Sequence, residues 1–233
     1  MHPPTPPAFL FSNASSAEQI SLYWTTVTSA TAYNIERSTD LQNWTPIATT
    51  PPSQNYYTDT QLTPNTWYHY RVKAVNTGGS SPPSMTTSSA TLKRIEEWRL
   101  QNYGTTSPNG PSASLATAPD GVPNLLRFAF NLNLTDPAVP ITPSTGTKGL
   151  PHVYIDTTTQ KLTLEFIRRR ATSTPGITYQ VEFTNDLQTY TPGGSALLII
   201  PINTQWERVL WQDSQTITQN PRRFARVRIT ENP

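Results

Sequence analysis

From about residue 8 the chain falls into short runs in which apolar and polar residues alternate, separated by polar turns. A period of two is the signature of strands with one face buried. The pattern predicts strands over 20–27, 32–38, 43–49, 55–60, 66–76 and 84–91. Within the fifth of these, Tyr68, Tyr70, Val72 and Ala74 share one parity, so they are expected to line one inner face. Strands resume downstream as HVYID, KLTLEFIRRR, ITYQVEFT, ALLIIPI, QWERVLWQD and RRFARVRIT. The texture between the two sets is different. In LKRIEEWRLQNYG (92–104), Leu92, Ile95, Trp98 (or Arg99) and Tyr103 recur at helical spacing, and Gly104 is placed as a stop. In PNLLRFAFNLN (123–133), Pro123 suits a first helical turn and Leu125, Leu126, Phe128 and Leu132 form an apolar stripe. A Ser/Pro/Gly/Asn-rich loop (105–121) precedes that segment, and a proline-rich crossing (136–151) follows it. The expected organisation is a tail at 1–7, a β-sandwich at 8–91, a helical joint at 92–135 and a second β-sandwich at 136–233.

Composition agrees with a β-rich, loop-rich chain. Of 233 residues only 14% are charged and 23 are proline, so hydroxyl and amide side chains must carry much of the solubility. Residues 1–91 hold three basic side chains (Arg37, Arg71, Lys73) against four acidic ones (Glu18, Glu36, Asp40, Asp59). That part is net −1, which leaves the remainder at +3 and gives neither half the basic excess of a nucleic-acid binder. Without cysteine there are no disulfides and no thiolate metal sites. No stretch reaches the length of a membrane span. The N-terminal MHPPTPPAFLF has no signal-peptide pattern, so either the chain is intracellular or Met1 begins a mature or excised segment of a longer protein, and the second is expected.

Several fixed offsets then agree at once. Trp24 on the first predicted strand is followed by Leu62, Pro64, Thr66, Tyr68, Tyr70, Arg71, Val72, Ala74 and Asn76 at set spacings, and then by Gly78-Gly79-x-Ser81. Over roughly residues 4–91 this resembles a fibronectin type III domain, an immunoglobulin-like sandwich. The resemblance implies that Trp24 is the core tryptophan and that Tyr68 is a corner tyrosine whose hydroxyl ties back to the backbone near Leu62. It also implies a spacer or ligand-display role, without catalysis.

The chain also echoes itself. YNIERSTDLQNWTP (33–46) and YQVEFTNDLQTYTP (179–192) match at seven of fourteen positions. A glutamate recurring at one place in both hairpins, Glu36 and Glu182, reads as a structural cross-strand partner. The second half carries Trp98-Arg99, Tyr103-Gly104-Thr105, Asp120-Gly121-x-Pro123-Asn124-Leu125-Leu126, Leu162-x-Leu164-x-Phe166-x-Arg168-Arg169, the 179–190 hairpin and Arg222-Arg223-Phe224-x-Arg226-x-Arg228. In order and spacing this resembles the C-terminal module that recurs at the ends of long secreted or surface proteins of Verrucomicrobia-type bacteria. It implies an exported accessory module, extracellular or on the cell surface, whose partners are other domains or copies of a larger surface protein.

In that family the segment matching ATAPDGVPNLLR (116–127) is an acidic turn of the thrombospondin type 3 or dockerin kind, which binds calcium. Calcium asks for six to eight oxygens. Here the ligand positions hold Ala116, Ala118, Asp120 and Arg127, with Gly121 and Asn124 kept for shape. One carboxylate remains and a cation replaces the closing one. Calcium is therefore disfavoured, no other cofactor is implied, and Asp120 is expected to cap the following helix or to pair with Arg127.

Other chemistry is sparse. His2, His69 and His152 lack ligand spacing, no nucleophile–base pattern is present, and adjacent Glu96 and Glu97 read as solvated helix charge. Arg168–Arg170 with Arg222, Arg223, Arg226 and Arg228 could form one basic face on neighbouring strands and hold an acidic polysaccharide. The bland alternative is a solvated face balanced by Glu165, Glu182 and Glu207. Trp44, Tyr56, Tyr57 and Trp67, or Trp206 and Trp211, could stack on sugars, although Trp206 and Trp211 fall on opposite faces of a regular strand. Core roles are expected for Trp24, Leu62, Tyr68 and Trp98. Two function classes follow. A structural or attachment pair binds no free sugar. A carbohydrate-binding pair exposes at least two aromatic rings on one face.

Overall fold

The computed structural model describes residues 2–232. The chain divides into two compact units, one through Glu97 and one from Trp98. The expected joint at 92–135 is thus shared between them.

In the first unit, β1 (Leu10–Ala14), β2 (Ile20–Trp24) and β5 (Tyr56–Asp59) form one antiparallel sheet in the order β1-β2-β5. The other sheet contains β3 (Ala32–Ser38), β4 (Thr45–Thr50), β6 (Trp67–Asn76), β7 (Gly79–Ser80) and β8 (Thr87–Ala90). Its order is β4-β3-β6-β7, with β8 also paired to β6. Alternate residues of both sheets meet in the core: Ile20, Leu22 and Trp24 from β2, Tyr33 and Ile35 from β3, and Tyr68, Tyr70, Val72 and Ala74 from β6. The period-two reading therefore names the inner face of β6 correctly.

Strand β1 was not predicted, and the reason is physical. Leu10 and Ala14 pack on the core only in part, and the buried inward residue between them, Ser12, is polar, with its hydroxyl 2.9 Å from Thr87 Oγ1 and 2.8 Å from Ser89 Oγ. The strand thus buries a hydroxyl network where the pattern looks for apolar side chains. The last strand predicted in this unit, 84–91, is shortened to β8, and the stretch before it stays off the ladder. Pro82 and Pro83 cannot donate to a ladder, so serines on either side take over. Ser81 Oγ accepts from Ala74 N–H and Ser84 Oγ from Val72 N–H, both at 3.0 Å. The expected tail also packs: Pro4 and Pro7 are buried, and the Asn76 amide donates to His2 O at 3.1 Å.

Helix α1 (Arg94–Tyr103) crosses the division between the units in chain order. Gly104, at φ 69, accepts the left-handed turn that ends it. Glu96 and Glu97 are not merely solvated. Glu96 Oε2 accepts Lys93 N–H at 2.8 Å, an N-terminal cap, and Glu97 pairs with Arg94 at 3.1 Å. Helix α2 (Asn124–Ala129) is shorter than the apolar stripe suggested. Asn131 turns the chain left-handed at φ 57, yet Leu132 still reaches the core at 2% exposure.

The second unit contains β9 (His152–Asp156), β10 (Lys161–Arg169), β11 (Ile177–Thr184), β12 (Thr191–Pro192), β13 (Ser195–Pro201), β14 (Trp206–Thr216) and β15 (Phe224–Glu231). They make two sheets, β13-β14-β10-β9 and β12-β11-β15. β10 is buried on both faces, because the crossing segment lies over one of them and packs Ile141 against Ile167 and Trp206. The chain is mostly β, with several sheets and a short helical segment between its two units.

Candidate functional site

The 116–127 turn is built around a cation supplied by the chain itself. Gly121, at φ 80, makes the tight bend that a side chain would strain. Arg127, on α2, is 1% exposed. Its guanidinium donates to Asn133 O at 2.5 Å, to Asp136 O at 3.0 Å and to Asp120 Oδ2. One planar fork thus bridges a carboxylate and two carbonyls. The Arg127 bond is the main reason the Asp120 carboxyl lies below the usual range. Asp120 does not cap α2: Pro123 occupies that position without a side-chain bond, and Asp120 Oδ1 accepts Val122 N–H at 3.2 Å. Asn124 faces away from the turn. Its amide donates to Pro111 O and Ala113 O, both at 2.9 Å, and its Oδ1 accepts the Tyr103 hydroxyl at 2.7 Å.

The arginines do not assemble into one basic face. Arg168 and Arg170 belong to β10 and its C-terminal end, whereas Arg226 and Arg228 lie on β15 in the other sheet. Each group is centred on a glutamate. Glu207 faces Arg168 at 2.6 Å and Arg170 at 3.9 Å, and Glu182 faces Arg226 at 2.8 Å and Arg228 at 3.6 Å. Glu165 does not balance them. It is 2% exposed, lies 3.3 Å from Arg208 and accepts Ser144 N–H at 2.6 Å beneath the crossing segment.

The two echoing hairpins share this chemistry. Glu36 lies opposite Arg71 on β6 and bonds Arg71 at 2.5 Å and Lys73 at 2.7 Å. Glu182 lies opposite Arg226 on β15. Arg71 stacks over Trp44 at 4.2 Å, and Arg226 over Tyr190 at 3.7 Å. Trp44 and Tyr190 hold the same place in the two hairpins. The turns match as well. The Ser38 and Thr184 hydroxyls donate to Asp40 and Asp186, and each aspartate accepts two backbone N–H groups: those of Gln42 and Asn43, and those of Gln188 and Thr189. Leu41 and Leu187 take left-handed φ values of 63° and 62°. These bonds depress both carboxyls, Asp186 to about 2 chiefly through the Thr184 hydroxyl.

The remaining aromatic candidates are placed as follows. Trp206 is buried, with Arg169 4.3 Å above its ring. Trp211 is half-buried and donates from Nε1 to Gly193 O at 2.8 Å. Trp24 is 4% exposed and meets Tyr33 edge-on at 5.6 Å. Trp98 packs edge-on against Tyr103 and Phe128 at 6.0 and 6.3 Å. Leu62 is buried, and the Tyr68 hydroxyl accepts Thr63 N–H at 3.0 Å. His69 meets Ser88 Oγ at 2.7 Å, and His152 stacks on Tyr154. Among the described residues no three His, Asp or Glu side chains gather as metal ligands.

Sequence reasoning missed several buried ionic anchors. Asp213 receives Arg223 at 2.5 and 3.0 Å, Arg99 reaches Glu231 at 3.0 Å and Ser114 at 2.7 Å, and Asp59 accepts Arg37 at 3.0 Å and the Tyr70 hydroxyl at 2.9 Å. Burial, then the neighbouring Asp59, pushes the Tyr70 hydroxyl pKa up. Arg99, in the Trp98-Arg99 pair, and Arg223, in the Arg222-Arg223-Phe224 run, stood in motifs of the sequence, but their partners did not. The partners lie too far along the chain to be paired by spacing.

Comparison with known proteins gives a family match on the first unit and several similar solved structures. The family model of the fibronectin type III domain matches residues 3–90. FN3tt is 30% identical, covering 40% of this chain and 98% of that one, with a TM-score of 0.36. An Fn3-like protein from Clostridium thermocellum is 34% identical, covering 39% and 95%, with a TM-score of 0.35. A beta-1,2-glucanase from Parabacteroides distasonis is 25% identical over 42% of this chain and 15% of its own length, with a TM-score of 0.37. No helix among the described residues is long and apolar enough to cross a membrane. Core tryptophan, corner tyrosine, two-sheet order and family match converge on one assignment: residues 3–90 are a fibronectin type III domain, a structural or binding module of a typically non-catalytic kind.

Proposed function

We propose that the chain is a non-catalytic extracellular module pair that spaces or displays a larger exported or surface-assembled bacterial protein. The observation that supports this best is the clasp repeated in the two units, in which a glutamate, two basic side chains and an aromatic ring tie a hairpin to the neighbouring strand. Cross-strand ion pairs and cation–π contacts of this kind each contribute on the order of 0.5–1 kcal/mol. Their use in both units fits side chains kept for holding shape. The resemblance of the second unit to surface-protein C-terminal modules supports the same reading and adds the setting, with other domains or copies as partners.

The test is surface proteolysis of intact cells carrying the epitope-tagged parent protein. The module pair is expected to be cleaved by a protease that does not enter the cell. A tag that stays protected until lysis overturns the reading. Acidic polysaccharide binding is the rival class, and its specific support is that each clasp holds two cations against one carboxylate. Retardation in alginate gels that Arg226→Ala abolishes would favour it.

A further inference from the structure

The outer face of the β1-β2-β5 sheet carries a row of aromatic rings that belongs to none of the clasps. Phe11 is the cross-strand partner of Tyr23, and Tyr23 is the partner of Tyr56. Residues directly opposite on neighbouring strands point to the same face, and strands lie about 4.8 Å apart, so the row spans roughly 10 Å. All three side chains are more than half exposed, at 61%, 52% and 54%. The next cross-strand row on this face is Asn13, Ser21 and Thr58. Neither row contains a charge.

At the Tyr23 end, β2 runs into a hollow of about 470 Å³ whose lining includes Thr5, Thr25, Thr26, Thr28 and Ser29. This is the size of a small-ligand site. Here too no lining side chain is charged. Thr25 Oγ1 accepts N–H bonds from Ala8 at 2.8 Å and Phe9 at 3.1 Å, so its own hydroxyl proton takes part in neither bond. The hollow and the rings join through this residue, which directly follows Trp24 and bonds Phe9, the residue before β1.

The chemistry of the face selects its occupant. A charged ligand finds no counter-charge here to repay its desolvation. A wholly apolar partner would bury the hydroxyls and the Asn13 amide without hydrogen bonds, at a cost. A neutral polysaccharide satisfies both halves, with C–H faces for the rings and hydroxyls for Thr, Ser and Asn. We propose that this face of the first unit binds a neutral polysaccharide. The proposal goes beyond the spacing reading: it gives the first unit a glycan site of its own, for a neutral polymer and not an acidic one, and its test does not depend on export.

The experiment is affinity gel electrophoresis of the full chain in laminarin, hydroxyethylcellulose, xylan and galactomannan, with alginate as the charged control. Retardation by at least one neutral polymer is expected, with Tyr23→Ala weakening it about five- to ten-fold and Tyr23→Ala/Tyr56→Ala abolishing it. Trp67→Ala, an exposed ring on the other sheet, is expected to leave it unchanged. Circular dichroism checks that each variant is folded, and Thr28→Val probes the hollow without touching the rings. Three results would each overturn the proposal: no retardation by any neutral polymer, retardation by alginate alone, or neutral-polymer binding unchanged in the Tyr23/Tyr56 variant. Self-association through the rings, seen as Tyr23-dependent sedimentation with no glycan effect, would overturn it too. Binding here with a protease-protected tag in cells would sink the extracellular reading and spare this one.

Discussion

Replacing Arg127 by methionine tests whether the guanidinium performs the bridging that a metal would perform in an acidic loop. Methionine keeps most of the aliphatic stem and the packing around it. It removes the bonds to the carbonyls of Asn133 and Asp136 and the pair with Asp120. Hydrogen bonds to a charged donor contribute about 1.5–3 kcal/mol each. The Asp120 side chain is about one-third open to water, so its share is discounted. The two carbonyl bonds, partly replaced by water, then set an expected loss of about 2–4 kcal/mol. For a unit of this size that is a drop in Tm of roughly 6–20 °C. Urea titration followed by tryptophan fluorescence measures the change, since Trp98 packs on Phe128 one residue beyond Arg127. Asp120→Asn, which keeps both carbonyl bonds, is expected to cost much less. The wild-type chain is expected to melt at one temperature in calcium and in chelator. An Arg127→Met variant within about 0.5 kcal/mol of wild type would refute the reasoning, as would a calcium-dependent rise in the wild-type Tm.

Three further outcomes are expected. Asp213→Asn keeps the shape of a fully buried carboxylate but leaves Arg223 without its charge partner, so urea unfolding should register a loss of about 3 kcal/mol. Tyr68→Phe strips the partner from the Thr63 N–H and should cost about 1–2 kcal/mol by the same assay, with the fold retained. The Asp186 carboxyl is depressed from 3.8 to about 2, so the stabilisation it gives is full above the ordinary carboxyl value and is lost as pH falls through about 2. NMR titration should place its midpoint there, and a midpoint near 3.8 would mean that the Thr184-Asp186 turn is not formed in solution.

The sequence by itself determined the strands with apolar inner faces, the two helices and the hairpin echo, because each is written in neighbours along the chain. Alternation in β6 placed Tyr68 to Ala74 on the core side, and the repeated Asp-Leu-Gln was enough to mark two turns of one geometry. The cross-strand roles of Glu36 and Glu182 were legible for the same reason, since recurrence in two hairpins argues for structure. Tertiary structure decided what depends on distant partners. Arg168 and Arg226, similar in sequence setting, went to different sheets and different glutamates. Glu165, on the polar phase of its strand, was buried because a loop from elsewhere covers that face. The row Phe11, Tyr23 and Tyr56 draws on three strands, one of them hidden from pattern reading by its buried Ser12. Periodicity reports which way a side chain points, whereas register across strands, which sets the neighbours of each ring and charge, is fixed only when the sheets assemble.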